Sequence, residues 1–242
     1  MNKYEKNHNG DLSKTYKPYE LVNISFEKIK NHSYVTQQTF GVVNAMGVKQ
    51  TIRGVTVKHN DELFMENLSV SRLVQAANRF YQKDDLVTTY DGKNIQTESA
   101  NWNESPTTSL TKKEHEEKWG KDLSRPYIYI ISSQTCLETS NIVKTSDGYL
   151  VSVDLDPIYG ALRYVKQMCN ISHIDPPSFQ SINIKYTLDN ELNMLKSEVT
   201  ESYTVVMGVK AKSDATMTEY FEYDKEIAIP DIKSNFTYVK GE

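Results

Sequence analysis

Between residues 195 and 207 the odd positions carry Leu195, Val199, Tyr203, Val205 and Met207, while Lys196, Glu198, Thr200, Ser202 and Thr204 occupy the even ones. Successive side chains of an extended chain point to opposite faces, so this run predicts a strand with one dry and one wet face. It is on the order of 12 residues, or 40 Å, long. A strand so long and so one-sided requires a wide, curved antiparallel sheet with one face turned to water.

The same period recurs. Tyr149, Val151, Val153 and Leu155 oppose Ser152 and Asp154; Ile182, Ile184, Tyr186 and Leu188 alternate with Asn183, Lys185 and Thr187. Weaker alternation predicts strands over 34–42, 49–58, 62–71, 74–82 and 86–90. The separators are rich in Asp, Asn and Gly: His59-Asn60-Asp61, Lys83-Asp84-Asp85, Asp91-Gly92, Asp147-Gly148, Asp189-Asn190 and Ser213-Asp214. Such residues suit tight hairpins, and the short spacing predicts an up-and-down meander without crossover helices. The polar stretch 91–110, interrupted by Trp102, is either a long loop or a hinge between half-sheets.

Three segments carry helical spacing. Over 18–31, Tyr19, Val22, Phe26 and Ile29 share a face behind Pro18. Over 112–119, Thr111 and Glu114 form a capping box and Gly120 is a stop. Over 157–170, Asp156 is an N-cap, Pro157 opens the first turn, and Ile158, Leu162, Val165 and Cys169 form an apolar stripe. The expected class is mixed α+β, mainly antiparallel β, with residues 1–17 as a flexible polar tether and 18–242 as a single domain.

Composition narrows the function. With 16 Tyr, 7 Phe and 2 Trp the chain has the means to build a core. A net charge of -4 without a basic face argues against a nucleic-acid partner. No apolar run reaches a membrane span, and the first 17 residues lack the apolar region of a signal peptide. Either the protein is cytoplasmic or an export signal has been removed ahead of this sequence. Cys136 and Cys169, with no CxxC, are buried thiols or a disulfide.

Catalytic constellations are weak. Cys169, His173 and Asp175 lack a glycine-rich turn, and Ser132 and Ser133 lack a nucleophile elbow. His115, Glu116 and Glu117 lack metalloprotease spacing, and Asp156 is better used as a cap than, with Asp154, as a calcium ligand. No catalytic residue, metal or cofactor is expected. The stronger signal is a wide apolar sheet face with only three short helices to cover it. Full coverage makes an ordinary core, and loose coverage a cavity. The candidate lining is Phe64, Met65, Phe80, Tyr81, Val151, Val153, Tyr164, Met168, Ile184, Tyr186, Tyr203 and Phe221, with Arg53 and Arg79 at the mouth to meet an anionic head group.

The order of elements, with Gln38 and Gly41 in the first strand, Gln50-Thr51-Ile52-Arg53, Pro126-Tyr127-Ile128-Tyr129-Ile130-Ile131, the run from Gly148 to Pro157, Lys185-Tyr186-Thr187-Leu188-Asp189 and Glu201-Ser202-Tyr203, resembles the LolA- and LppX-like lipoprotein-carrier superfamily. More narrowly, it is similar to lipoproteins of Gram-positive gut bacteria. The resemblance implies a curved, unclosed β-barrel with about three helices as a lid on the concave face. It also implies an extracytoplasmic protein held to the outer surface of the cell membrane only by an N-terminal lipid anchor. The expected function is non-catalytic binding of a lipid or hydrophobic small molecule. The alternative is a cell-envelope sensor or protein-interaction module that uses loop 91–110, with Trp102 as anchor.

Overall fold

The computed structural model describes residues 10–239 except 74, 121, 126, 173, 174 and 208. Most of the expected tether, the first residue of the strand expected at 74, Pro126 and His173 of the Cys-His-Asp set lie outside the described residues.

The eight alternating segments become strands, and four further strands join them: β1 (Tyr34–Ala45), β2 (Val48–His59), β3 (Glu62–Val70), β4 (Gln75–Lys83), β5 (Leu86–Gln96), β6 (Ser99–Trp102), β7 (Thr108–Thr111), β8 (Asn141–Lys144), β9 (Gly148–Leu155), β10 (Ser178–Asp189), β11 (Met194–Met207) and β12 (Val209–Tyr223). The four further strands are β6, β7, β8 and β12. They form one sheet in the order β6-β5-β4-β3-β2-β1-β12-β11-β10-β9-β8, with β7 also paired to β5. Every pairing is antiparallel, and the two ends of the sheet do not meet, so the barrel is curved and incomplete. The long register between β1 and β12, from Val35 opposite Tyr223 to Ala45 opposite Ser213, joins the N-terminal meander to the C-terminal one.

Hairpin chemistry follows the sequence at several turns. Asn60 and Asp84 take positive φ, which Asn and Asp tolerate better than most residues. Asp189 Oδ1 accepts from the N–H groups of Glu191 and Asn193, both at 2.8 Å. Two expected turns are strand instead. Gly92 lies inside β5, where a Cβ would stand 2.7 Å from Ala77 and 2.8 Å from Ala100; its role is close packing. Ser213-Asp214 lies inside β12, paired to β1 and β11. The stretch 91–110 is the end of β5 with β6 and β7, not a free loop.

Three helices cover the concave face. In α1 (Pro18–Asn31), Leu21, Val22, Phe26 and Ile29 are buried, and the helix packs across β9. In α2 (Lys112–Trp119) the capping box forms: Thr111 Oγ1 accepts from Glu114 N–H at 3.2 Å, and Thr111 N–H donates to Glu114 Oε2 at 2.8 Å. Gly120 closes it at φ 68°. α3 (Leu162–Ser172) begins later than the sequence predicts. Asp156 Oδ1 does accept from Ile158 and Tyr159 N–H, at 2.9 and 2.8 Å. That turn stops at Gly160, whose carbonyl is taken by Ile130 N–H at 2.9 Å. The expected stripe therefore splits. Val165 packs on the core, with Tyr164 and Met168, while Ile158 and Leu162 are 66% and 51% exposed.

The main core lies between α1 and β9–β12. The convex face is wet except over β2–β5, where Val55, Val57 and Phe64 are nonetheless buried. The chain after β12 crosses back over them and covers them with Ile227, Ile229, Phe236 and Tyr238. Beneath it the wholly buried Arg79 pairs with Glu66 at 2.5 Å and donates to the carbonyls of Ile232 and Ser234. Tyr238 hydroxyl donates to the other Glu66 oxygen at 2.7 Å.

Candidate ligand cavity between sheet and lid

Register decides which side chains meet the lid. Gln37 opposes Thr56, Thr56 opposes Met65 and Met65 opposes Phe80, so all four share the concave face. Continuing through β12 and β11, Glu219 opposes Ser197 and Met217 opposes Val199 on that face. Between these strands and the lid is a cavity of about 790 Å3. That falls within the roughly 300–1,000 Å3 of sites that enclose small molecules.

The lining has two characters. Phe26 and Ile29 of α1, Tyr127 and Tyr129 of the connecting segment, Tyr164 of α3, and Ile52, Leu63, Met65, Val199 and Met217 of the sheet make an apolar, aromatic shell. Phe26 stacks on Tyr127 at 3.8 Å and meets Tyr186 edge-on at 5.8 Å. Across the floor runs a polar strip of Gln37, Thr39, Thr56, Asn67, Ser197 and Glu219. Gln37 Nε2 donates to Glu219 Oε1 at 2.7 Å, and Ser197 Oγ to Glu219 Oε2 at 2.5 Å. Charged residues of both signs ring the opening, among them Lys58, whose ammonium donates to the carbonyls of Lys30 and His32 at the end of α1, at 2.5 and 2.6 Å.

Behind Tyr129 and Tyr164, which meet edge-on at 5.7 Å, lies a second carboxylate. Glu201 is 2% exposed and accepts from Tyr129 hydroxyl at 2.5 Å. Burial pushes its pKa up to about 7, against the opposing effect of bonds from Tyr129 and Tyr164. Burial beside this carboxylate holds both tyrosine hydroxyls far above their ordinary range. The thiols are unbonded to each other, and burial raises Cys136 to about 11, which keeps it protonated. Among the described residues no cluster of His, Cys, Asp or Glu could hold a metal ion.

Of the sequence candidates, Met65, Tyr164 and Tyr186 line the cavity. Phe80 shares their face but packs with Leu63, Met65, Val87 and Leu123. Val151, Val153, Ile184, Tyr203 and Phe221 face inward, but into the main core, and Met168 packs against that core from α3. Phe64 and Tyr81 are on the opposite face, because neighbours along a strand cannot both point inward: Met65 and Phe80 take the concave side. Arg53 and Arg79 are also on the convex side and do not border the cavity. Arg53 pairs with Glu98 at 3.2 Å, and Arg79 is buried under the C-terminal segment. Trp102 lies beneath the same segment, its ring 3.9 Å from the Arg79 guanidinium and its Nε1–H donating to Asn235.

The polar floor is the part sequence reasoning missed. The available signal was that Ser197 and Glu201 interrupt an otherwise apolar strand face. Leu195 was expected on that face, but an irregularity opposite Leu188 brings Met194 inward and leaves Leu195 42% exposed.

No protein-family model matches the chain, and no curated protein matches it in sequence. In the solved structures it is similar to the ywiB protein from Bacillus subtilis, at 12% identity and a TM-score of 0.23 over 83% of this chain and 99% of that one. It is similar as well to a DUF1329 family protein from Desulfovibrio piger, at 10% identity and a TM-score of 0.31 over 90% and 95%.

Proposed function

We propose that this protein is a non-catalytic binding protein that encloses a lipid or comparable small molecule between the curved sheet and the helical lid. The observation that carries the reading is the 790 Å3 cavity itself, lined by both sheet and lid and sharing Phe26, Tyr129, Tyr186 and Val199 with the main core. An aromatic and aliphatic shell favours an apolar body, and the polar floor favours a ligand with at least one hydrogen-bonding group. The reading extends to an extracytoplasmic protein of the lipoprotein-carrier kind, as its element order resembles.

Thr56→Trp tests it. Thr56 is central in the floor, between Gln37 and Met65, and an indole there fills space that a ligand would occupy. The variant is expected to keep its thermal midpoint within a few degrees and to lose the fluorescence enhancement of cis-parinaric acid. Undiminished enhancement in a folded Thr56→Trp protein contradicts this site.

A further inference from the structure

Four of the large apolar side chains exposed on this chain are brought to one corner. Leu137 is 45% exposed, Ile158 66%, Tyr159 60% and Leu162 51%. They belong together because Leu137 N–H donates to Asp154 carbonyl and Asp156 N–H to Thr135 carbonyl, both at 2.8 Å, which ties the 135–137 segment to the 154–156 end of β9. The Asp156 carboxylate then fixes the next turn through the backbone of Ile158 and Tyr159, so their side chains project from a defined knuckle. Leu162 and Lys166 follow four residues apart on the exposed side of α3.

This corner adjoins the cavity: Arg163, Lys166 and Gln167 of α3 border the opening. Neither Arg163 nor Lys166 forms an ion pair among the described residues. The carboxylates nearest the apolar tips are Glu138, exposed beside Leu137, and Asp156, occupied by the turn, while Glu116 and Asp122 border the same opening as Arg163 and Lys166. A cluster of aliphatic tips with one tyrosine, flanked by two unpaired cations, matches the layering of a bilayer surface. Acyl chains lie beneath phosphates, and tyrosine and long cationic side chains sit at the boundary.

We propose that Leu137, Ile158, Tyr159 and Leu162, with Arg163 and Lys166, form a docking edge for an anionic phospholipid surface, placed so that the cavity opening faces the bilayer. The insertion is shallow, because the apolar tips come from one turn and the start of one helix. The apolar part of the edge stands apart from the cavity, since Leu137, Ile158, Tyr159 and Leu162 do not border it, whereas Arg163 and Lys166 do.

The test is flotation of the full chain with vesicles of mixed phosphatidylcholine and phosphatidylglycerol, and with phosphatidylcholine alone. The wild type is expected to float with the anionic vesicles and to bind neutral ones more weakly. I158S/L162S, changed at exposed positions and checked for an unaltered thermal midpoint, should bind roughly tenfold or more weakly. R163Q/K166Q should lose roughly fivefold per charge and much of its salt dependence. Absence of wild-type binding, or equal binding by the folded I158S/L162S, overturns the proposal. So does a concentration-dependent dimer abolished by I158S/L162S without vesicle binding, which assigns the edge to a second copy. Loss of vesicle binding with cis-parinaric acid binding retained in I158S/L162S supports the edge and leaves the cavity reading untouched.

Discussion

Replacing Glu201 with glutamine is expected to raise stability and to flatten its dependence on pH. The native carboxylate titrates at about 7 because it is buried behind Tyr129 and Tyr164, against an ordinary 4.5 when the chain unfolds. The folded state therefore holds this proton more tightly than the unfolded state. Its contribution is most favourable below pH 4.5, is lost as the pH rises towards 7, and is constant above that. At about 1.36 kcal/mol per pH unit, the full loss is about 3 kcal/mol. The amide of Glu201→Gln has no charge to bury and retains a carbonyl that accepts from Tyr129. The stability of Glu201→Gln minus that of the wild type should accordingly grow by about 2–3 kcal/mol between about pH 4.5 and 8. Urea unfolding followed by circular dichroism at several pH values measures it, and the difference between the two proteins cancels every other titrating group. Parallel profiles, offset by less than about 0.5 kcal/mol across that range, would show that burial does not govern this carboxylate.

On the convex face, Arg79→Met leaves the Glu66 charge buried with Tyr238 as its remaining side-chain donor, and is expected to cost about 3–5 kcal/mol. Limited proteolysis should then cut within 225–239, whereas an uncut segment would show that it docks without the ion pair. Gly148→Ala places a Cβ 2.0 Å from the Leu188 carbonyl oxygen, so the β9–β10 edge must part. A thermal midpoint lowered by several degrees is the expected result, and an unchanged midpoint would contradict this packing.

Eight strands are legible because their alternation is a property of the local chain, while β6, β7, β8 and β12 are not among them, and the α2 cap is legible because Thr111 and Glu114 are three residues apart. The concave lining was less legible. Alternation separates Phe64 from Met65 and Phe80 from Tyr81, but only register across the four strands β1–β4 says which member of each pair meets the lid. Glu66 and Arg79 lie thirteen residues apart and meet only once β3 pairs with β4. Residues 225–239 gave no periodic signal, because Ile227, Ile229, Phe236 and Tyr238 are ordered by the sheet they cover. The stripe of Ile158 and Leu162 had the right helical spacing, yet Gly160 breaks the helix and turns both side chains to solvent. Local pattern reads elements, while inward polar groups such as Glu219 depend on partners distant in sequence.

The central claim is that the cavity holds a ligand, and native mass spectrometry tests it most directly. Wild-type protein purified without detergent would be compared with a solvent-extracted sample and with Thr56→Trp. The account predicts a discrete added mass of several hundred daltons on the wild type, removed by extraction and missing from Thr56→Trp. A bare mass for the wild type that persists after incubation with a total lipid extract would contradict it.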